Sequence, residues 1–161
     1  MPLFDDIIRR TRQHHAIEHA TIHLLSARLP GQRFSGLSDP AGFTIYGDVD
    51  EVVLRRAVGD ALLRLQAGEA RLAIHPNCGT NLAVTALLTT ASAFVAAGAS
   101  RRVVDRIPLT FMLALPALVL SRPLGLRVQQ YTTLADVGDR WVADVFPVGG
   151  GAFRAHRVVF D

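Results

Sequence analysis

Residues 81–100 carry no charged side chain, and neither do residues 107–121. At about 1.5 Å per residue, some twenty helical residues just reach across the ~30 Å hydrocarbon core of a bilayer. Ser100-Arg101-Arg102-Val103-Val104-Asp105-Arg106 separates the two runs, so the pattern predicts an apolar helical hairpin. The second run holds Pro108 and Pro116, and as a helix it reaches only about 22 Å, short for a full span. The first run is rich in Ala, Thr and Ser, a composition that a buried soluble hairpin would share. The reading adopted is a hairpin inserted in the membrane, shallow or re-entrant.

Residues 1–80 and 122–161 would then lie on one side. The N-terminal MPLFDDIIRR has neither a basic n-region nor an apolar h-region, so no secretory signal is read there. That side is expected to be the cytoplasmic face of an inner membrane. Arginines flank both ends of the hairpin, Arg101, Arg102 and Arg106 at its loop and Arg71, Arg122 and Arg127 at the other end. The positive-inside rule therefore does not choose between the two orientations.

Half of the 161 residues are hydrophobic, and the formal charge is +3. All 17 basic residues are arginine, an arginine-only set that points to the coding bias of a GC-rich bacterial genome. They are scattered along the chain, without the basic stripe of a nucleic-acid binder. One cysteine excludes an internal disulfide.

Residues 3–29 read as one helix, with Asp5 and Asp6 at its positive end and Pro30-Gly31 stopping it. Residues 32–38 and 42–47 read as strands around a Ser38–Gly42 turn, and 50–67 as a second helix with apolar residues at the 3.6 period. Residues 70–75 read as a third strand that delivers His75. The fold class expected is α+β: a long N-terminal helix on a small mixed sheet, plus the hairpin. The domain organisation is 1–80, a helix with a β-β-α-β unit; 81–121, the hairpin; and 122–161, a C-terminal part. There, strands at 140–146 and 152–160, around a Gly149-Gly150-Gly151 turn, close onto the N-terminal unit.

The chemistry is concentrated in two short segments. His14-His15-Ala16-Ile17-Glu18-His19-Ala20-Thr21-Ile22-His23 puts four of the six histidines within ten residues of one helix. Residues four apart stack on a helix face, so His15, His19 and His23 form a stripe with Glu18 at its edge. His14 is about 100° away and is expected to face solvent. His15-x-x-Glu18-His19 has the spacing of the inverted zinc-protease motif. The second segment, His75-Pro76-Asn77-Cys78-Gly79-Thr80, holds the cysteine. Imidazole and thiolate together suit Zn²⁺ better than Mg²⁺ or Ca²⁺. The expected ligands are His15 and His19, with the others drawn from His75 and Cys78; four protein ligands would make the site structural, whereas water in one position would leave Glu18 to act on it as general base. Cys78 is alternatively a small buried thiol, or a nucleophile with a histidine base. His156 is read as an ordinary residue of an edge strand.

His15-Ala-Ile-Glu18-His19, His75-Pro-Asn-Cys78-Gly-Thr80 and Gly125-Leu-Arg-Val-Gln129-Gln-Tyr-Thr132-Thr133 occur in that order. The ordered set resembles the YqhQ-like bacterial membrane proteins, whose pattern is His-Gly-Ala-Glu-His, then His-Pro-Arg-Cys-Gly-Thr, then a Gln and a Thr-Thr pair. Ala16-Ile17 replaces the small pair here and Asn77 replaces the arginine, which leaves the ligand positions intact. About twenty residues match by motif, and the chain is shorter than typical members. The resemblance implies a membrane protein with a metal-site-like constellation and no established reaction. Gln129, Thr132 and Thr133 carry weight only through it.

The function expected is a zinc-dependent hydrolase at the membrane face, with a peptidase as the narrower reading. Its partners would be membrane lipid and a protein or peptide substrate, with no nucleic acid. The rival is a non-enzymatic membrane-associated module in which a structural metal, or a hydrogen-bonded His/Cys cluster, clamps the helix to the sheet.

Overall fold

The computed structural model describes residues 2–99, 102–149 and 154–161. Ser100 and Arg101 of the hairpin loop, Gly150 and Gly151 of the glycine turn, and the start of the 152–160 strand lie outside the described residues. The chain divides into two compact units, residues 1–75 with 132–161, and residues 76–131.

The first unit contains helices α1 (Pro2–Arg28) and α2 (Glu51–Gln66) and strands β1 (Ser35–Asp39), β2 (Gly42–Tyr46), β3 (Val142–Val148) and β4 (Ala155–Phe160). Gly31 (φ +89°) follows Pro30 and turns the chain out of α1 through a conformation that side chains resist. Pro40 and Ala41 form the β1–β2 loop, and Asp39 closes it by accepting the N–H groups of Ala41 and Gly42. Arg157 grips the same carboxylate with both terminal nitrogens, at 2.6 and 2.7 Å. The Asp50 carboxylate caps α2 by accepting from Val52 and Val53 N–H.

The four strands run in the order β1-β2-β4-β3, with every neighbouring pair antiparallel. The fold is therefore α+β, as expected, but the sheet is not mixed. Residues 70–75 do not form the predicted strand; Ala70–Ala73 is a turn of 3₁₀ helix and Ile74 is extended. The reason lies in their carbonyls, which are spent on imidazoles instead of a neighbouring strand. His156 also departs from expectation: β4 is an inner strand, and His156 is buried within it.

The core is built from Ala16, Ile17, Ala20 and Leu25 of α1, Leu54, Val58 and Leu62 of α2, and Phe43, Ile45, Val145 and Val158 of the sheet. Helix α1 packs against α2, β1, β2 and the 3₁₀ turn. Between Gln13 and Ile22 only His15 is not buried. That wrapping explains His14. It is fully buried, stacks on Phe160 at 4.8 Å and donates from Nδ1 to the Asp39 carbonyl, so it does not face solvent.

The second unit contains α3 (Gly79–Ala99) and α4 (Val103–Thr132). Both are long and apolar enough to cross a membrane. Helix α4 continues through Pro108, Pro116 and Pro123, so the second helix extends beyond the apolar run at both ends. Each proline removes one N–H. Ending the helix would orphan several groups at once. Polar contacts join the two helices: Thr85 Oγ1 donates to Ser121 Oγ at 2.8 Å, and Gln129 Nε2 donates to Asn81 Oδ1 at 2.9 Å. Asn81 in turn donates to the Pro76 carbonyl at 2.6 Å. Gly125 leaves the room Asn81 needs, since a Cβ there would overlap its side-chain oxygen.

Candidate metal centre

Helical spacing puts His15, His19 and His23 along one flank of α1, and the segment after the 3₁₀ turn runs past that flank. The ring centroids of His15 and His19 lie 4.3 Å apart, those of His19 and His75 5.9 Å, and those of His23 and His75 4.6 Å. Four imidazoles from two segments thus form one cluster within the first unit.

The hydrogen bonds fix their tautomers. His19 Nδ1 lies 2.6 Å from the Ala73 carbonyl, and His15 Nδ1 lies 3.1 Å from that of Thr132. A carbonyl only accepts, so each Nδ1 carries a proton, and in the neutral ring Nε2 is the nitrogen left to present a lone pair. His23 Nε2 donates to the Ile74 carbonyl at 2.9 Å, so in the neutral ring the lone pair would lie on Nδ1. An imidazole held by a carbonyl at one nitrogen, with the other nitrogen presented, is the arrangement of metal-binding histidines. His19 is buried, and its Nε2 has no hydrogen-bond partner among the described residues. Burial, helped by His23 and His19, pushes His75 down to about 4, so it is neutral at physiological pH and able to ligate.

Glu18 turns toward the sheet. It is 5% exposed and accepts from Ser38 Oγ at 2.5 Å. Gly36 of β1 lies against the carboxyl, where a Cβ would overlap it. Burial pushes the Glu18 carboxyl up, with the Ser38 hydrogen bond and the nearby His15 ring pulling it partly back. A raised carboxyl is a stronger proton acceptor than a free one.

Cys78, in the second unit, is buried and accepts from Thr80 N–H at 3.4 Å. It follows His75 by three residues.

Residues 10–145 match DUF6391, a domain of unknown function. The chain belongs to this family. The DUF6391 match covers Glu18, all four clustered histidines, Cys78, Asn81 and Gln129. An uncharacterized protein of a Picosynechococcus strain is 39% identical over 138 residues, 77% of this chain and 65% of that protein. The chain thus spans just under two thirds of that relative's length. No solved structure matches.

Sequence spacing placed His15, His19 and Glu18 on one stretch of α1 and singled out His75. It left His23 open, and the structure adds it to the cluster. Ser38 was missed because nothing in a Ser-Asp-Pro turn signals a carboxylate twenty residues upstream. The Ala73, Ile74 and Thr132 carbonyls have no sequence signal at all, since every residue carries one.

Proposed function

We propose that this chain is a membrane-anchored, zinc-dependent hydrolase. His15 and His19, with either His75 or Cys78, are the ligand set, water takes the remaining position, and Glu18 is the general base. The reading rests above all on the locked imidazoles. His15 and His19 are held by carbonyls at Nδ1, and the buried His19 Nε2 has no hydrogen-bond partner among the described residues. A bare lone pair at that depth is costly unless an electrophile meets it. Only two residues separate His75 from Cys78, a tether of about 10 Å at full stretch, so either could supply the third ligand. Zinc held by such a set supplies Lewis acidity and acidifies water. The raised Glu18 carboxyl would take the proton of an attacking water. The substrate class proposed is a peptide bond at the cytoplasmic face of the inner membrane, where the apolar hairpin would hold the chain. Kinship with the YqhQ-like proteins belongs to the same reading and rests on the three ordered motifs.

The test is metal content by inductively coupled plasma mass spectrometry, on detergent-purified protein beside a His15→Ala/His19→Ala variant. About one zinc per chain, lost in the variant, is the result expected. A folded wild-type protein prepared without chelators that carries no metal would overturn the reading.

A second reading is favoured by a specific observation. His19 and His23 donate to consecutive carbonyls, Ala73 and Ile74, and so tie α1 to the 3₁₀ segment without any ion. Glu18 is likewise engaged by Ser38. The cluster would then be a structural clamp in a non-enzymatic membrane module. Under that reading, zinc-free protein keeps its full thermal stability.

A further inference from the structure

The second unit holds a cavity of about 520 Å³ at one end of the hairpin, and Cys78, Asn81, Leu82, Thr85 and Arg122 are among its lining residues. That volume is in the range of small-ligand sites. Its polar wall is mostly committed internally: Asn81 donates to the Pro76 carbonyl and accepts from Gln129, and Thr85 donates to Ser121. Arg122 is the exception. Among the described residues it has no hydrogen bond and no ion pair.

The only acid of the unit lies far along the helix from Arg122. Residues 76–131 contain five arginines, 101, 102, 106, 122 and 127, and one acid, Asp105. Asp105 lies 17 residues from Arg122 on the same helix, about 25 Å along its axis. A guanidinium that follows directly on an apolar run, beside a cavity and without a carboxylate, is arranged for an external anion. Its planar donor fork matches a phosphate. Leu82 and Pro76 give the cavity an apolar side as well.

We propose that this cavity binds a phosphate group carried by an anionic amphiphile, with Arg122 as the recognising cation. The site is independent of the metal reading, because it needs the guanidinium and the cavity rather than a liganded thiol.

Native mass spectrometry of the full chain, released from micelles doped equally with phosphatidylcholine and phosphatidylglycerol, tests the proposal. Wild type should retain phosphatidylglycerol at least five-fold over phosphatidylcholine. Arg122→Gln should bring that ratio close to one, and Arg122→Lys should keep part of it. Arg127→Gln, which changes an exposed arginine that does not line the cavity, should leave it intact. Adding millimolar inorganic phosphate separates the two sources of the group. Displacement of the lipid with phosphate retained assigns the site to the free anion, and persistence of the lipid assigns it to the headgroup. Equal retention of both lipids by wild type, a preference that survives Arg122→Gln, or equal losses in Arg122→Gln and Arg127→Gln would each overturn the proposal. Circular dichroism confirms that each variant is folded. The same spectra report zinc on the chain, so zinc without lipid preference defeats only this site, and lipid preference without zinc defeats only the metal reading.

Discussion

Glu18 is a carboxyl with a serine hydroxyl on one side, glycine on another and almost no water. If it is a base rather than a ligand, Glu18→Gln should keep zinc, since glutamine can still accept the Ser38 O–H. Relieving a buried charge offsets the poorly paired amide, so the unfolding free energy should move by less than about 1 kcal/mol. Cleavage of an unstructured peptide, followed by mass spectrometry, should fall by roughly 10²–10⁴. Loss of zinc in this variant would instead make Glu18 a ligand. His75 sets a pH dependence in the metal-free protein. Its folded value of about 4 lies below the ordinary 6.5, so in that window the unfolded chain binds the extra proton and stability falls as pH drops. Glu18 works in the opposite sense above its ordinary 4.5, because its folded value is raised. The His75 contribution is therefore read as a difference. Wild type should lose stability relative to His75→Leu as urea midpoints are taken from pH 7 to pH 4.5. Parallel curves would show that His75 is not held neutral by its surroundings.

At the scale of elements, α2 depends on a single cap. Asp50 accepts from two N–H groups of the first turn, and Asp50→Ala should cost about 1 kcal/mol in urea unfolding. The hairpin depends on close approach. Gly125→Val would drive a branched side chain into Asn81, loosening the buried bond to Gln129, and should cost about 1–3 kcal/mol in detergent. Leu124→Val, at a partly exposed neighbour, should cost little. These elements also show what sequence could reveal. Helix α1, α2 and the β1–β2 hairpin were legible because period, caps and turn residues agree there. Residues 70–75 were not, because Ala-Arg-Leu-Ala-Ile-His alternates like a strand while its carbonyls serve histidines on α1. His14 misled for a related reason. An angle of 100° from His15 points to water only if a helix has one buried side, and α1 is covered by the sheet on one side and by the 3₁₀ segment on another. The imidazole stripe of the candidate site was legible from spacing; the tautomers that ready it for a metal depend on backbone atoms that no residue type marks.

For the whole molecule the deciding quantity is apolar surface. The most hydrophobic windows of α3 and α4 both have a mean hydropathy of 1.8, and only 6% and 0% of their residues are buried. Leu87, Phe94, Phe111, Met112 and Val119 are each more than 60% exposed. At about 25 cal/mol per Å², side chains of this size each forfeit on the order of 1.5–3 kcal/mol while they face water. Soluble single-chain proteins rarely carry contiguous apolar patches on this scale, whereas a bilayer would cover them and would tolerate the internal prolines of α4. Membrane integration is therefore expected to resist both high salt and alkaline carbonate, with the full chain staying in the pellet. Arginine at mid-helix should weaken it most: a Leu87→Arg/Leu115→Arg pair places one charge on each helix, at roughly 2.5–3.5 kcal/mol per residue on insertion scales. That variant should shift toward the soluble or aggregated fraction, while Leu63→Arg, on the exposed surface of α2, should leave fractionation unchanged. Release of the wild-type chain by carbonate would mean that another protein surface, not lipid, covers the hairpin.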